Sequence, residues 1–441
     1  MDLPATPPFA LRARLLTPLA AGGSSYEPDG LLEIDAAGRI AYAGTASQRP
    51  DSAASAVDLR PWVVMPGMVD LHAHLPQIPN AGLGAGMDLL AWLEKYIFPL
   101  ERGFDVATAE RVAPAAWRAF AAAGTTTALV YGAVYEASLD ATFRAAEAHG
   151  IRAIVGKVMM DRGTYDATID PATILERSLA ESARLIERWH GADGGRIQYA
   201  VTPRFAVSCT AEMLRESAAL AASTGAYWQT HVSEDPGEIA EVARLFPEAI
   251  DYVDVYDRAG GLGPRAVLAH AVHLSDRELG RLVETGTRVA HCPISNLFLA
   301  SGVMPLGRYL ETGLSLGLGS DVAGGPDLSV FSVMRVGSYA QNACRVAGLE
   351  AGPVLGPLDW LRLGTLGGAE ALGLDDVVGS LEAGKEADLI AVDPSYVAPI
   401  PGVSDDEPED LASRLIFRAH PDMVRGAWVR GRRLEGPGAR E

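Results

Sequence analysis

Two histidines stand two residues apart, and this spacing gives their side chains a common direction. His72 and His74 end a short apolar run, MPGMVDLHAH, that begins at residue 65. In a β-strand, alternate side chains point to the same face, so both imidazoles can reach one metal ion. An H-x-H pair is a weak motif by itself. Its significance depends on the polar residues at other strand ends.

Three more polar residues follow later apolar runs in the same way. His231 ends the fifth run, His270 the sixth and Asp321 the eighth. His72, His74, His231 and Asp321 could therefore supply three imidazoles and one carboxylate to a single divalent ion. Zinc suits such ligands, with Fe²⁺ as the alternative, and an open position on the ion would activate water. Any one histidine would more often be a hydrogen-bonded core residue, but the whole set favours a metal site.

The apolar runs alternate with amphipathic helical stretches, which is the pattern of a parallel sheet covered by helices. Eight runs begin near residues 65, 125, 152, 196, 226, 265, 287 and 314. The Ala-rich stretches from 105 and from 211 each end at a glycine, as helices often do. Eight such units predict an α/β fold, a (β/α)₈ TIM-type barrel over residues 65–375. Its active site would lie at the carboxyl ends of the strands.

The two ends of the chain have a different character. Residues 1–64 and 376–441 contain short alternating strands such as LLEIDAAGRIAYAG, ADLIAVDP and MVRGAWVRGRRL. Two separated segments of similar β-character most simply pair with each other. We therefore predict a small composite β-sandwich domain formed by both chain ends.

Composition narrows the classes of partner and the location. The formal charge is −19 with no Lys/Arg cluster, so no nucleic-acid partner is expected. No apolar run reaches the roughly 18 residues of a membrane span, and Arg12 and Arg14 interrupt the apolar N-terminal stretch, so neither a membrane nor a signal peptide is expected. Cys209, Cys292 and Cys344 form no C-x-x-C pair and are expected to be packing residues. These features are typical of a cytoplasmic protein.

The order of the polar residues resembles the amidohydrolase superfamily along the whole barrel. That pattern is H-x-H on strand one, His on strands five and six, and Asp on strand eight. Binuclear members also carry a bridging lysine at the end of strand four, where this chain has TPRF at 202–205. The resemblance therefore implies one divalent ion, and Lys157 on strand three is the one residue that could change that inference.

Three stretches are more similar to guanine deaminases than to the superfamily at large. They are HAHLPQ at 72–77 running on to DLLAWLEKYIFPLE at 88–101, KVMMD at 157–161 with TPRFAVSC at 202–209, and THVSED at 230–235 with GSDVAGG at 319–325. This resemblance implies a homodimer whose small-molecule substrate is guanine, hydrolysed to xanthine and ammonia in purine catabolism or salvage. One alternative is a related mononuclear deaminase acting on a pterin, 8-oxoguanine, S-adenosylhomocysteine or a triazine. A more remote one is a non-catalytic barrel that acts as a binding or assembly protein.

A guanine site needs a donor for O6, an amide along the ring edge and an apolar or aromatic wall. Arg204 and Gln77, just beyond strands four and one, meet the polar requirements. The resemblance assigns O6 to Arg204 and a ring nitrogen to Gln77. Phe205 and Trp92 are the candidate walls, whereas Phe98 is expected to lie on one face of an amphipathic helix. Either polar residue alone could equally be a surface group.

Hydrolytic deamination also needs groups that move protons. Glu234, three residues beyond His231, is the expected carrier from the attacking water to N3 of the purine. His270 is not needed as a ligand in a mononuclear site and would hydrogen-bond the attacking water. Asp321 would bind metal and pass the second proton to the departing ammonia. We assign no chemistry to the histidines in helices, loops or the far domain, which are His149, His190, His273 and His420.

Overall fold

The chain opens with strands of a small sheet. The computed structural model describes residues 2–163, 168–349, 352–403 and 407–438. The first four strands are β1 Phe9–Pro18, β2 Ser24–Ile34, β3 Ile40–Thr45 and β4 Val57–Pro66. β1 pairs antiparallel with β2 and parallel with β4, and β2 pairs antiparallel with β3.

The predicted (β/α)₈ barrel is confirmed. Its strands are β5 Met68–His74, β6 Thr125–Tyr131, β7 Arg152–Gly156, β8 Val158–Met159, β9 Ile197–Pro203, β10 Tyr227–Val232, β11 Ala266–His270, β12 Arg288–His291 and β13 Leu316–Leu318. Neighbouring strands are parallel, and β7 and β8 share the third predicted run. The first run is divided between the two sheets, because Met65 and Pro66 end β4 and the barrel strand starts at Met68.

Helices connect the strands of both sheets. They are α1 Pro50–Ser55, α2 Leu89–Trp92, α3 Phe98–Arg102, α4 Val106–Ala122, α5 Glu136–His149, α6 Pro171–Trp189, α7 Ala192–Gly195, α8 Ala211–Thr224, α9 Pro236–Leu245, α10 Tyr252–Arg258, α11 Asp276–Thr285, α12 Pro293–Phe298, α13 Leu306–Glu311, α14 Val330–Val346, α15 Pro357–Leu363, α16 Leu366–Leu372 and α17 Pro408–Phe417. A π-helical segment, Leu93–Ile97, joins α2 to α3, and a 3₁₀ turn, Leu75–Asn80, follows β5. None of the helices in the described ranges combines the length and the apolar character that crossing a bilayer requires.

Local chemistry explains where the two predicted Ala-rich helices begin and end. The Asp105 side chain accepts from the backbone N–H of Thr108 at 2.8 Å and caps the start of α4. Thr210 caps α8 in the same way, through Met213. Gly225 ends α8 with φ +70°, a left-handed conformation that glycine adopts without strain. The glycine signals in the sequence therefore marked real helix ends.

The small sheet returns at the other end of the chain. Its last strands are β14 Leu389–Val392, β15 Val424–Val429 and β16 Arg432–Arg433, and the full order is β16-β15-β14-β4-β1-β2-β3. β14 pairs antiparallel with β4, so the two chain ends meet at the centre of the sheet. The expectation that both ends build one β-unit is confirmed. The division at residues 64/65 and 375/376 remains our proposal.

A buried arginine ties the small sheet to the barrel. Arg152, in β7, donates to Asp388 at 2.8 Å and to Glu386 at 2.6 Å. Arg430, just beyond β15, also donates to Glu386, at 2.7 Å. Arg152 and Asp388 are almost fully buried. A charge removed from water in this way is stable only while its partners remain in place.

We expect Arg152→Met to destabilise the protein by about 3–5 kcal/mol, because it leaves the buried Asp388 carboxylate without its cation, whereas Glu386 keeps Arg430. Urea denaturation would measure this loss. Arg184→Met is the matched control, since Arg184 pairs with Glu136 while more than half of its side chain is exposed to solvent. The control should lose far less, and equal losses would mean that the buried pair does not hold the two units together.

Candidate active site

The four predicted metal ligands converge at the carboxyl ends of the barrel strands. His72 and His74 lie at the end of β5, His231 lies in β10, and Asp321 follows β13. The Nε2 atom of His74 is 3.2 Å from Nε2 of His72 and 3.3 Å from Nε2 of His231. Oδ1 of Asp321 lies 3.1 Å from Nε2 of His72 and 3.2 Å from Nε2 of His74. The four donor atoms all lie within 4.8 Å of one another.

The protonation of His72, His231 and Asp321 suits a cation between them. Burial lowers the pKa of His72 to about 4 and the pKa of His231 well below its ordinary value. Nδ1 of His231 donates to the backbone carbonyl of Arg204 at 2.6 Å, which leaves Nε2 with its lone pair. Burial would raise the pKa of Asp321, but its contacts with His72 and His74 hold that pKa well below the usual range. Neutral imidazoles and an ionised carboxylate are the forms that bind a divalent metal.

Lys157 does not join this group. Its Nζ lies 3.1 Å from Oε2 of Glu181, a residue of α6, and it lines a separate cavity of about 480 Å³. Within the described ranges no second cluster of three or more metal-binding side chains is found. The donor set therefore fits one divalent ion.

The junction between the first and last barrel strands places two of the ligands. The backbone N–H of Asp321 donates to the carbonyl of His72 at 2.7 Å, and that of His74 donates to Val322 at 2.8 Å. The buried Asp70 carboxylate accepts from the backbone N–H groups of His72 and Ser320 at 3.1 and 3.0 Å, and from Oγ of Ser320 at 2.6 Å. Asp70 thus holds both strands at the point where the ligands emerge.

Glu234 and His270 lie beside the ligands. Oε2 of Glu234 is 3.4 Å from Nε2 of His270, and Oδ2 of Asp321 is 3.8 Å from the same nitrogen. Burial, followed by the negative charge of Asp321, raises the pKa of Glu234 well above its ordinary value. The side-chain oxygen of Asn296 bonds Nδ1 of His270 at 2.9 Å, and Ser301 donates to Glu234 at 3.3 Å. These contacts keep both side chains directed at the space next to the metal ligands.

The predicted substrate residues line one pocket together with three of the candidate metal ligands, His74, His231 and Asp321. Gln77, Arg204, Phe205 and Trp92 all border it. Three leucines that the sequence did not single out complete the wall: Leu89, Leu93 and Leu299. The free space of about 30 Å³ holds two or three water molecules at roughly 10–15 Å³ each.

Some residues of the site carried no usable signal in the sequence. The Tyr131 ring packs against the ligand histidines, with centroid distances of 4.4 Å to His74 and 5.1 Å to His72. Phe98, expected to be an ordinary helix-face residue, lies 5.2 Å below the guanidinium of Arg204. Glu101 is buried and bonds both Gln77 and Arg204. Each depends on a contact between residues that are distant in the sequence.

Other titratable residues near the strand ends are not ligands. His291, which the sequence motifs left unassigned, ends β12 and is buried, and burial lowers its pKa to about 3. Burial raises the pKa of Cys209 to about 12 and that of Cys292 well above its ordinary value. Cys344 is also buried. Both high-pKa thiols therefore suit packing rather than nucleophilic roles.

A parallel barrel with three imidazoles and one carboxylate at its carboxyl end defines a metal-dependent hydrolase of the TIM-barrel class. The model of the Amidohydrolase family matches residues 63–434, and the chain belongs to this family. The chain is 40% identical over 418 residues to a Deinococcus radiodurans protein named "Probable guanine deaminase", covering 91% of this chain and 92% of that protein. It is 38% identical over 360 residues to the Escherichia coli guanine deaminase, covering 81% and 79%.

Solved structures agree with this relationship. The guanine deaminase from C. acetobutylicum, solved with guanine bound in the active site, superposes on this chain with a TM-score of 0.87. The two chains are 26% identical, and the match covers 97% of this chain and 99% of the other. The similarity therefore extends over both the barrel and the small sheet.

We expect Asp70→Asn to weaken metal binding by about tenfold or more, because Asn offers one acceptor oxygen where the carboxylate offers two. Competition with a chromogenic chelator would measure the affinity. Asp105→Asn removes a charge at an exposed helix cap, which Asn also forms, and should bind metal like the wild type. Unchanged affinity in Asp70→Asn would show that the strand junction does not place the ligands.

Proposed function

We propose that this protein hydrolyses guanine to xanthine and ammonia in purine catabolism or salvage. The observation that carries this proposal is one pocket in which three of the four candidate metal ligands, His74, His231 and Asp321, meet Glu234, His270, Gln77 and Arg204. The relatives named guanine deaminase, similar over most of the chain, support the choice of substrate. We further propose that the protein is a cytoplasmic homodimer, as the composition and the resemblance lead us to expect.

We propose that His72, His74, His231 and Asp321 hold a zinc ion, because zinc favours a mixture of nitrogen and oxygen ligands. Fe²⁺ is the alternative for the same set. When bound, the ion supplies Lewis acidity, which lowers the pKa of water and polarises the reacting centre. The remaining steps belong to the side chains around it.

Glu234 is positioned to carry a proton between water and the purine ring. It takes a proton from the attacking water and delivers it to N3, which relieves the negative charge that forms as C2 is attacked. The buried position and the raised pKa of Glu234 support this role, because the carboxylate can hold the proton taken from water until N3 accepts it. Ser301 donates to the other carboxylate oxygen and fixes the side chain.

His270 and Asp321 complete the proton path. Nε2 of His270 faces the carboxylates of Glu234 and Asp321, where it can hydrogen-bond the attacking water and stabilise the tetrahedral intermediate. Oδ2 of Asp321 is directed at His270, while Oδ1 faces the ligand histidines. We infer that Asp321 accepts the second water proton and passes it to the amine that leaves as ammonia.

The opposite side of the pocket is suited to holding the ring. Arg204 would donate to O6 of guanine, and Gln77 would contact a ring nitrogen. Phe205 and Trp92 are buried and supply apolar walls, and the indole of Trp92 is fixed by donating to the carbonyl of Leu83 at 2.9 Å. The flat rings of Phe205 and Trp92, together with the apolar leucine side chains, fit a bicyclic ring.

Glu234→Gln should retain its metal and lose a factor of about 100 to 10,000 in kcat, the usual contribution of a positioned acid–base group. Steady-state guanine deamination and elemental analysis on the same preparation would measure both properties. Glu241→Gln, a change on α9 at a side chain that is 30% exposed, is the control and should behave like the wild type. Turnover near the wild-type rate in Glu234→Gln would rule out its role as proton carrier.

Ammonia release from guanine, 8-oxoguanine, isoxanthopterin, cytosine and adenine would test the substrate. Guanine should react fastest, and adenine should not react, because it has no O6 to accept from Arg204. Arg204→Ala should lose guanine deamination at low substrate concentration, through a higher KM, and should not gain activity on adenine. If another lactam reacted faster, the hydrolytic mechanism would stand, but that lactam would replace guanine as the proposed substrate. No reaction with any compound would favour a non-catalytic binding protein.

A further inference from the structure

One buried carboxylate lies behind both polar residues of the substrate pocket. Glu101, in α3, is only 2% exposed to solvent. Its Oε1 accepts a hydrogen bond from Nε2 of Gln77 at 2.7 Å, and its Oε2 forms a salt bridge with Nη1 of Arg204. Gln77 and Arg204 come from loops after two different strands, β5 and β9. Glu101 is therefore the group that connects the two.

This contact determines which end of the Gln77 amide faces the pocket. An ionised carboxylate can only accept hydrogen bonds, so the NH₂ group of Gln77 must be the end that faces Glu101. Among the residues that the structure describes, the Gln77 side chain forms no other hydrogen bond. Gln77 also lines the pocket. Its carbonyl oxygen therefore remains to meet a ligand, and Gln77 presents an acceptor.

The same carboxylate orients the second polar residue. The Arg204 guanidinium lies between the Glu101 carboxylate on one side and the ring of Phe98, 5.2 Å away. A planar cation held by a carboxylate and an aromatic face has little rotational freedom. Arg204 is also only 2% exposed, so its other contacts are made within the protein or the pocket. It presents donors next to the acceptor of Gln77.

We propose that Glu101 is a positioning residue that makes the pocket specific for a lactam edge, a C=O next to a ring N–H. Arg204 donates to the carbonyl oxygen, and the Gln77 oxygen accepts from the N–H. The inference rests on the proposed function, which places guanine in this pocket. Guanine carries this edge at C6 and N1, and adenine has the reverse, an amino donor next to a ring acceptor. Adenine would leave buried polar groups unpaired.

The expected kinetic signature follows from where charge develops. Attack at C2 with protonation at N3 changes the lactam edge little, so the bonds to Gln77 and Arg204 exist in the ground state and in the transition state alike. Loss of such uniform binding raises KM and leaves kcat nearly constant. A residue needed only for folding would instead reduce the active fraction and the thermal stability.

The central experiment compares Glu101→Gln with Glu94→Gln, an exposed carboxylate in the π-helical segment that precedes α3. Glu101→Gln should raise KM for guanine by at least about tenfold, with kcat within about threefold and metal content unchanged. Glu94→Gln should match the wild type. A KM equal to that of the wild type would overturn the proposal, and so would a loss confined to kcat or metal content.

Two inhibitors that cannot be deaminated test the lactam edge without catalysis. Hypoxanthine has the same C6 and N1 edge as guanine but lacks the amino group, and purine lacks both. In the wild type, hypoxanthine should inhibit at least about tenfold more tightly than purine, and Glu101→Gln should reduce this ratio several-fold. Equal inhibition of the wild type by the two compounds, or a ratio that Glu101→Gln does not change, would contradict the proposal.

A charge-swapped variant provides the rescue. In Gln77→Glu combined with Glu101→Gln, the amide at position 101 can donate to the carboxylate at 77, whose other oxygen still faces the pocket. The double variant should have a KM for guanine at least about threefold lower than that of Glu101→Gln. A swap no better than the single variant would overturn the proposal even if Glu101→Gln is less stable. If the wild type does not deaminate guanine, the proposed function fails. If the wild type deaminates guanine and Glu101→Gln leaves KM unchanged, only this inference fails.

Discussion

The junction between the first and the last barrel strand is the constraint on which the rest of the site depends. His72 and His74 leave one strand and Asp321 leaves the other, so the donor set exists only where these two strands are in register. The Asp70 carboxylate bonds both strands through His72 and Ser320. Gly319 allows the last barrel strand to lie close to the first, because a Cβ at this position would be 2.8 Å from Cβ of His72 and 2.9 Å from Sγ of Cys292.

The backbone around the site is conformationally strained. Ser233, His270 and Asp321 have positive φ values of 47°, 72° and 47°, a left-handed conformation that is uncommon for residues with a side chain. Such conformations cost about 1–3 kcal/mol each and persist where surrounding contacts hold them. Here the barrel hydrogen bonds and the buried polar contacts supply that support. The side chains of these three residues, or those of their immediate neighbours, face the candidate metal site.

The sequence was sufficient to predict the barrel and the clustering of four side chains that could hold a metal ion. Each apolar run contains a barrel strand, and the carboxyl ends of parallel strands in a barrel meet on one face, so His72, His74, His231 and Asp321 were expected to lie close together. The small sheet followed from β-character at both ends of the chain. The predicted substrate residues were also found around one pocket.

The contacts that orient these residues were not predictable in the same way. Glu101 looks like an ordinary helix carboxylate, and only the packing of α3 against the loop after β9 shows that it is buried beside Arg204. Tyr131 resembles any aromatic strand residue until the barrel places its ring against His74. The apolar run that begins at Met65 continues from the end of β4 into β5. The run alone therefore did not show where the small sheet ends and the barrel begins. Periodicity specifies a face of an element, but not its partner across the fold.

The central claim is that a single ion held by His72, His74, His231 and Asp321 performs the hydrolysis, and metal titration tests it most directly. Protein stripped with a chelator would receive known amounts of Zn²⁺, with bound metal and guanine deamination measured on the same samples. Activity should rise in proportion to bound metal and reach its maximum at one ion per chain. A requirement for two ions per chain, or full activity in the stripped protein, would contradict the account.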